Sequence, residues 1–348
     1  MKKYYTESKY KKWNTTRSKK TIRSKQKRNK YDDTAFGTPV YNFRKPKRKP
    51  DPVIAPLNLC LLENTEECLV FFQKIRKRKS VGKIGRSNMV QMDLSNVAFI
   101  DYSTVCVLIA IITDLKSRGI FITSNLPKSQ ECKQKVLDCG LLNVMYDNQG
   151  RPFKRVDTSD LHFIEKGSKK LTKSDNRRIS ETVRRACQHL SGSGGYNKRL
   201  RTILLEICGN SIEWGGTQNR QWLLGVKYEN DRAIFTVTDV GVGILNTLKK
   251  KPFVRLSDVI QAKSDDDVLR GAFIKKYGSS SQKINRNKGL PSIRTGFEDG
   301  LLRNLKVLTN NVILHYDNES NSGEFRENLH FKGTLYRWVV TQESLKIN

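Results

Sequence analysis

Residues 206–213 read EICGNSIE, a stretch that places Glu206 and Asn210 four positions apart. The apolar pattern around them predicts a helix from about Lys198 to Trp214. Residues four apart share one face of a helix, so the carboxylate and the carboxamide are expected to lie side by side. Oxygen atoms of this kind suit a hydrated Mg²⁺, which prefers oxygen ligands and keeps several waters.

A second informative stretch, residues 239–244, reads DVGVGI and follows a strand-like run that ends in FTVT. Asp239 is expected at the end of that strand, and Gly241 and Gly243 allow the backbone to turn sharply and approach a flat ligand. The stretch is not the dinucleotide fingerprint, because the third glycine is missing and no helix signal starts directly after it. Together the two stretches indicate a nucleotide site.

The segment 196–342 is predicted to form an α+β sandwich. Its expected elements are the helix at 198–214, a hairpin of 221–228 and 233–238, a helix from 289 to about 300, and strands at 312–316 and 335–341. The polar stretch 246–288 is predicted to be one long mobile loop, acting as a lid or a disordered insert.

These motifs resemble those of the GHKL ATPases, the class of gyrase B, MutL, sensor histidine kinases and anti-sigma serine kinases. The resemblance covers about residues 196–342. Glu206 and Asn210 match the N-box of that class, and the first glycine box is matched by Asp239, Gly241 and Gly243. The resemblance implies a GHKL (Bergerat) fold that binds ATP and Mg²⁺.

The remaining motifs of the class follow in the expected order. Asn287-Lys288-Gly289-Leu290 matches the second glycine box in part, with asparagine at its first glycine. There Gly289 would open a helix whose N–H groups face the phosphates, and Lys288 would add a positive charge. The final Gly-Thr pair is matched by Gly333 and Thr334, so Thr334 is expected at the cofactor as well.

The resemblance also implies a role for each polar residue. Asp239 would accept a hydrogen bond from the adenine amino group, which favours ATP over GTP. Asn210 would hold Mg²⁺ against the phosphates. Glu206 would orient or deprotonate the nucleophile, either water or a protein hydroxyl.

The segment 53–148 shows an alternating pattern of strands and helices. Strand-like residues at 89–100, a helix at 103–116, a strand at 119–123 and a helix at 130–139 predict an α/β domain with a mostly parallel sheet. Residues 93–104 resemble the STAS domains of anti-sigma-factor antagonists, which implies that Ser103 is a phosphoacceptor at a helix N-terminus. The alternative is that Ser103 only caps the helix.

The charge is strongly and unevenly positive. The chain carries a net charge of +31, and residues 1–50 contain 18 lysines and arginines against 3 acidic residues. Residues 1–52 are therefore predicted to be a basic, disordered tail and linker that attracts nucleic acid, acidic protein or an anionic membrane, or that is simply solvated. Residues 149–195 are expected to be a connector with a basic helix at 174–190.

Composition excludes several other classes. The seven cysteines form no CxxC pair and the four histidines do not have the spacing of metal ligands, so a zinc site is not expected. The cysteines are instead expected to be buried free thiols in a reducing cytoplasm. The N-terminus lacks the apolar region of a secretory signal, and the apolar run at 105–112 is too short to span a bilayer.

Three functions remain open for a Mg·ATP-binding chain. The first is a serine/threonine kinase that acts as a signalling switch on a protein partner, which could be a STAS domain. The second is a non-kinase ATPase in which ATP drives a conformational change or homodimerisation, with nucleic acid bound by the tail. The third is a nucleotide sensor with little turnover.

Overall fold

The computed structural model describes residues 15–16, 51–77, 89–147, 151–154, 164–165, 171–192, 194–214, 222–249, 264–274, 289–326 and 328–346. The chain divides into two compact units, Met1–Tyr41 and Asn42–Asn348. In the first unit, the structure describes only Thr15 and Thr16, which are helical and exposed. Nearly all of the predicted basic tail therefore lies outside the described residues.

The N-terminal part of the second unit alternates short strands with helices. In chain order its elements are β1 (Val53–Ile54), β2 (Asn58–Leu59), α1 (Thr65–Lys77), β3 (Met89–Asp93), β4 (Phe99–Ile100), α2 (Tyr102–Ser117), β5 (Phe121–Ser124), α3 (Gln130–Asp138) and a 3₁₀ helix (Leu141–Val144). Strands β1, β3 and β5 form a parallel sheet in that order, and β2 pairs in parallel with β4. The predicted parallel pairing and both predicted helices are confirmed.

The strand-like residues predicted at 89–100 form two strands, β3 and β4, separated by a turn. The Asp93 carboxylate accepts the Ser95 N–H at 2.9 Å, and the Val97 N–H bonds to the Leu94 carbonyl at 3.0 Å. These local bonds turn the chain between β3 and β4, as side chains of aspartate commonly do.

The C-terminal part of the second unit is built on a large sheet. In chain order its elements are β6 (Ile164–Glu165), α4 (Lys173–Ser191), α5 (Lys198–Trp214), β7 (Trp222–Glu229), β8 (Arg232–Asp239), α6 (Ile244–Lys249), α7 (Asp265–Phe273), α8 (Gly289–Glu298), β9 (Arg303–Asn310), β10 (Val312–His315), a 3₁₀ helix (Glu319–Asn321), β11 (Gly323–Glu324), β12 (Phe331–Thr341) and α9 (Gln342–Leu345). Within the described residues the sheet has the order β11-β10-β9-β12-β8-β7-β6, with antiparallel neighbours.

The helix α5, the β7–β8 hairpin, α8 and the last two predicted strands are confirmed. Two expectations about this part are wrong, and one strand is additional. Strand β9 lies where the sequence predicts no element, because its first half is polar. Helix α6 starts directly after the glycine-rich stretch, where no helix was expected. The predicted long loop contains part of α6 and all of α7, whose N-cap Ser264 accepts the Asp267 N–H at 3.1 Å.

The large sheet is buried on both faces. We call the face that packs against α4 and α5 the inner face; it carries Phe235, Val237 and Trp338, which share a core with Ile203 and Ile207. The rings of Phe235 and Trp338 stack with centroids 5.3 Å apart. The opposite face is the outer face.

The outer face packs against α2. Leu223 and Leu335 belong to the same core as the apolar residues of this helix. A methyl group at Gly225 would lie 2.6 Å from the Tyr102 hydroxyl and 2.7 Å from the Cys106 Sγ, so only glycine permits this close approach. The segments 53–148 and 196–342 therefore share one hydrophobic core rather than touching through a polar surface.

The seven cysteines are free thiols, and six of them are buried, as expected. Burial raises the pKa of Cys60 to about 12 and that of Cys139 to about 12 as well. Every helix among the described residues is too short or too polar to cross a bilayer.

Candidate functional site

Glu206 and Asn210 lie on α5 as predicted, along one edge of its buried face. Both side chains are partly exposed, while the neighbouring Ile203 and Ile207 are buried in the inner-face core. The one-turn spacing places the carboxylate and the carboxamide on the same side of the helix.

The first residue of α8, Gly289, is packed against the Asn210 amide. A methyl group at position 289 would overlap the Asn210 Nδ2 and would lie 3.3 Å from its Cγ and 3.4 Å from its Oδ1. Two predicted motif residues that are distant in the sequence therefore meet. The first N–H groups of a helix have no partner within the helix, so those of Gly289 and Leu290 could meet an anion near this contact.

Contacts further along the two helices fix α8 on α5. Arg199 forms an ion pair with Asp299 and donates from Nη2 to the Thr295 carbonyl at 3.3 Å. Gly296 packs against Ile203, because a methyl group there would lie 2.6 Å from the Ile203 Cδ1. The proximity of Asn210 to Gly289 is thus a consequence of the packing of the whole helix pair.

Asp239 is the last residue of β8 and is only 4% exposed. Its Oδ1 accepts the Gly241 N–H at 2.9 Å, which ties the carboxylate to the glycine-rich turn. Side chains alternate along a strand, so Asp239 lies on the same face as Val237, the inner face that α5 covers. The predicted strand-end position of Asp239 is confirmed.

The Gly333-Thr334 pair lies beside Asp239 in the sheet. Thr334 is directly opposite Asp239 in the antiparallel register, and it lies on the inner face with Tyr336. Gly333 adopts φ +137°, and a methyl group there would overlap the Asp239 carbonyl. Only glycine allows this close approach of the two strand ends.

The glycine-rich turn is supported by two residues of β9 that the sequence analysis missed, Thr309 and Asn310. The Asn310 Oδ1 accepts the Leu245 N–H at 3.1 Å, and its Nδ2 donates to the Val242 carbonyl at 2.9 Å. Gly243, at φ +85°, lies so close that a methyl group would be 2.7 Å from the Asn310 Nδ2.

Thr309 links the same turn to β12. Its Oγ1 accepts the Ile244 N–H at 3.0 Å and donates to the Gly333 carbonyl at 2.9 Å, and it lies 3.3 Å from the Thr334 Oγ1. The available sequence signal was the Asn310-Asn311 pair after an apolar run, since asparagine tolerates the left-handed conformation that Asn310 adopts at φ 53°.

The predicted residues thus form two groups. Asp239, Gly241, Gly243 and Thr334 are held together at one end of the central strands, and Glu206, Asn210 and Gly289 are held together along α5. Both groups lie on the inner side of the sheet, because α5 packs on β7 and β8 and Asp239 faces this layer.

The charge of Asp239 acts on its buried surroundings. Burial raises the pKa of the Tyr336 phenol well above its ordinary value, and the nearby Asp239 carboxylate raises it further. The phenol next to the carboxylate is therefore neutral throughout the physiological range.

Ser103 is placed in the second position of α2, facing the large sheet. The hydroxyl is 3.0 Å from the Thr236 Oγ1 on the outer face, and Ser103 is only 3% exposed. The N-cap of α2 is Asp101, whose carboxylate accepts the Thr104 N–H at 2.7 Å. Burial raises the pKa of Asp101, while the bonds from Thr104 oppose that shift.

Lys288, the remaining predicted site residue, lies outside the described residues. A separate surface cleft of about 590 Å³ opens elsewhere, between Ala55 and Leu57, residues 95–98, and the Lys128-Ser129 pair. None of the described residues of the nucleotide motifs lines this cleft, so it does not bear on the nucleotide hypothesis.

Within the part of the chain that the structure describes, no group of three or more His, Cys, Asp and Glu side chains is placed to hold a metal ion. No protein-family model, curated protein or solved structure matches this chain. Any assignment of function therefore depends on the residues and their geometry.

Proposed function

We propose that this protein binds Mg·ATP at a GHKL-type site on the inner side of the large sheet, and that it transfers the terminal phosphate to a serine or threonine of a protein partner. The observation that carries the proposal is the convergence of motifs: Asp239 faces Thr334 in register, and Asn210 meets Gly289. All four residues belong to the sequence motifs that predict a single nucleotide site.

The purine end of ATP is assigned to Asp239. A buried carboxylate at a strand end presents only acceptor atoms when it is ionised, which matches the amino group of adenine and not the carbonyl of guanine. At the turn, Gly241 carries no side chain, so a flat ring could approach its backbone closely.

The phosphate end is assigned to Asn210 and the start of α8. Mg²⁺ commonly takes one or two protein oxygens and completes its shell with phosphates and waters, so the single amide oxygen of Asn210 fits this ion without a cluster of carboxylates. When bound, Mg²⁺ would neutralise part of the phosphate charge. The first N–H groups of α8, those of Gly289 and Leu290, would add donors for the phosphates.

Glu206 is assigned to proton transfer. It lies one turn before Asn210 on the same side of α5, so its carboxylate can orient a hydroxyl nucleophile next to the terminal phosphate and accept its proton. A protein hydroxyl as the nucleophile makes the protein a kinase, and water makes it an ATPase.

The burial of Ser103 favours an acceptor on another protein. Its hydroxyl bonds to Thr236 between α2 and the outer face, whereas the proposed site is on the inner side of the same sheet. Transfer to Ser103 would require α2 to leave the sheet. The second candidate is an ATPase in which nucleotide drives a conformational change or dimerisation and the basic tail binds nucleic acid; water is then the nucleophile, so the burial of Ser103 does not oppose it.

Incubation with γ-labelled ATP tests these alternatives. The kinase proposal expects label on a protein partner in a cell extract, lost in Glu206→Ala and retained in Ser103→Ala. Phosphate release stimulated by DNA or RNA, without labelled protein, would instead establish the ATPase. Binding without labelling or release would identify a nucleotide sensor.

A further inference from the structure

Arg76 connects the N-terminal segment to the proposed purine site. It lies in the last turn of α1, on the half of the unit that carries none of the nucleotide motifs. Its Nη2 donates to the Val240 carbonyl at 2.9 Å, and its Nη1 donates to the Lys332 carbonyl at 2.7 Å. Val240 directly follows Asp239, and Lys332 directly precedes Gly333.

These two hydrogen bonds lie where the main-chain pairing between β8 and β12 ends. Main-chain pairing between β8 and β12 runs from Arg232 opposite Thr341 to Asp239 opposite Thr334, where it stops. The Val240 and Lys332 carbonyls lie just beyond that last pair. The guanidinium of Arg76 therefore replaces the missing rung and fixes the separation of the two strand ends.

The close contact within this pair of strand ends requires such a fixed separation. A methyl group at Gly333 would lie 2.8 Å from the Asp239 carbonyl carbon and 2.9 Å from the Val240 Cα, so the strands are already at their limit of approach. Arg76 binds the backbone on both sides of this contact. A change at Arg76 would therefore move the Asp239 backbone and, with it, the carboxylate.

Arg76 also places a positive charge near the proposed purine site. Burial lowers the pKa of its guanidinium, but the carboxylates of Asp114 and Asp239 oppose this shift, and arginine remains a cation. The cation therefore lies within electrostatic reach of the Asp239 carboxylate.

We infer that Arg76 is a positioning residue of the nucleotide site, through which the N-terminal segment sets the affinity for the purine end of the ligand. The inference rests on the proposed function. Arg76 acts through Val240 and Lys332 and is not assigned a contact with the phosphates. A change at Arg76 should therefore alter the Kd for adenosine as much as the Kd for ATP.

Two variants at Arg76 and one control test this inference. Arg76→Met keeps an extended apolar stem and removes the charge and both donor groups, while Arg76→Lys keeps the charge on one ammonium group but lacks the planar fork that reaches both carbonyls. The control is Gln73→Met on the same helix, which removes the Gln73 Nε2 bond to the Asn328 carbonyl at 2.9 Å, away from the motif residues. Titration calorimetry measures the Kd for Mg·ATP, Mg·ADP and adenosine.

Arg76→Met is expected to raise all three Kd values by a similar factor, about tenfold for the loss of charge-assisted bonds. Arg76→Lys is expected to fall between it and the wild type, and Gln73→Met to match the wild type. Amide hydrogen exchange without nucleotide is expected to accelerate at residues 240–244 and 332–334 in Arg76→Met but not in the control.

An unchanged Kd in Arg76→Met overturns the inference, and so does a loss confined to ATP. Unchanged exchange at both strand ends overturns it as well. If the wild type binds none of the three ligands, the proposed function fails, whereas the exchange measurement still decides whether Arg76 holds the strand ends together.

Discussion

Replacing Gly289 with alanine separates the proposed phosphate site from the stability of the fold. The new methyl group would overlap the Asn210 Nδ2 and would lie 3.3 Å from Cγ, which is the far end of a flexible side chain. The Asn210 amide can rotate away, and alanine is a better helix former than glycine, so the free energy of unfolding should change little. The displaced amide oxygen, however, would no longer be available to hold Mg²⁺.

The expected loss of affinity for Mg·ATP follows from the removal of one Mg²⁺ ligand, the Asn210 amide oxygen. Contacts to a charged group contribute about 1.5–3 kcal/mol, so the Kd for Mg·ATP should rise roughly tenfold to a hundredfold in Gly289→Ala. The Kd for adenosine should stay the same, because Asp239 and Thr334 are untouched. Unfolding in urea should keep its wild-type midpoint within the error of the measurement.

Calorimetry at millimolar Mg²⁺, repeated in EDTA, provides the assay. The control is Gly323→Ala, where a methyl group would meet nothing within 4 Å. The ratio of the Kd for ATP in EDTA to the Kd in Mg²⁺ measures the contribution of the metal. We expect this ratio to fall in Gly289→Ala and to keep its wild-type value in Gly323→Ala. Wild-type affinity in this variant, or an equal loss of affinity for adenosine, would refute the role given to Asn210.

Other predictions address the strand ends, the chemistry and the buried thiols. Gly333→Ala should destabilise the fold by about 2–4 kcal/mol in urea, because of its φ of +137° and the overlap with the neighbouring strand, and a stability equal to Gly323→Ala would contradict this. Glu206→Ala should abolish phosphate transfer or release while leaving the Kd for Mg·ATP within about threefold; retained turnover would exclude the residue as the base. Burial raises the pKa of both Cys60 and Cys139 to about 12, whereas unfolded thiols titrate near about 8.5. The contribution of these two thiols to the free energy of unfolding should therefore be fully present below about pH 8 and be lost between about pH 8.5 and 12, so the fall over that range should be smaller in Cys60→Ala than in the wild type; an equal fall in both proteins would contradict the assignment.

Local patterns in the sequence predicted the elements that carry the motifs. The helical spacing of Ile203, Glu206, Ile207 and Asn210 defines α5 and the side on which its polar residues lie. The β7–β8 hairpin follows from two apolar runs joined by a polar turn. Both are short-range signals, and the structure confirms both.

The residues that hold the site together could not be predicted in the same way. Thr309 and Asn310 belong to β9, whose polar first half hides the strand and whose pairing depends on distant neighbours. Arg76 is 164 positions from Val240, and its role depends on how α1 packs against the large sheet. Such contacts arise from tertiary packing, which periodicity does not encode.

The sequence contains a signal that the outer face is covered, although it does not identify α2 as the covering helix. Residues 222–226 read WLLGV, an apolar run without alternation, which is typical of a strand buried on both faces. Thr236 is buried on the same face, where it meets Ser103. The run predicts a covered outer face, but the identity of the covering helix required the structure.

The most direct test of the central claim is a calorimetric titration of the wild type and Asp239→Asn with ATP at millimolar Mg²⁺. The substitution keeps the shape of the side chain and an oxygen for the Gly241 N–H, but it replaces an all-acceptor carboxylate with an amide. We expect measurable binding of ATP to the wild type and a Kd at least about tenfold higher in the variant, for adenosine as well as for ATP. No heat of binding to the wild type, or identical binding in both proteins, would contradict it.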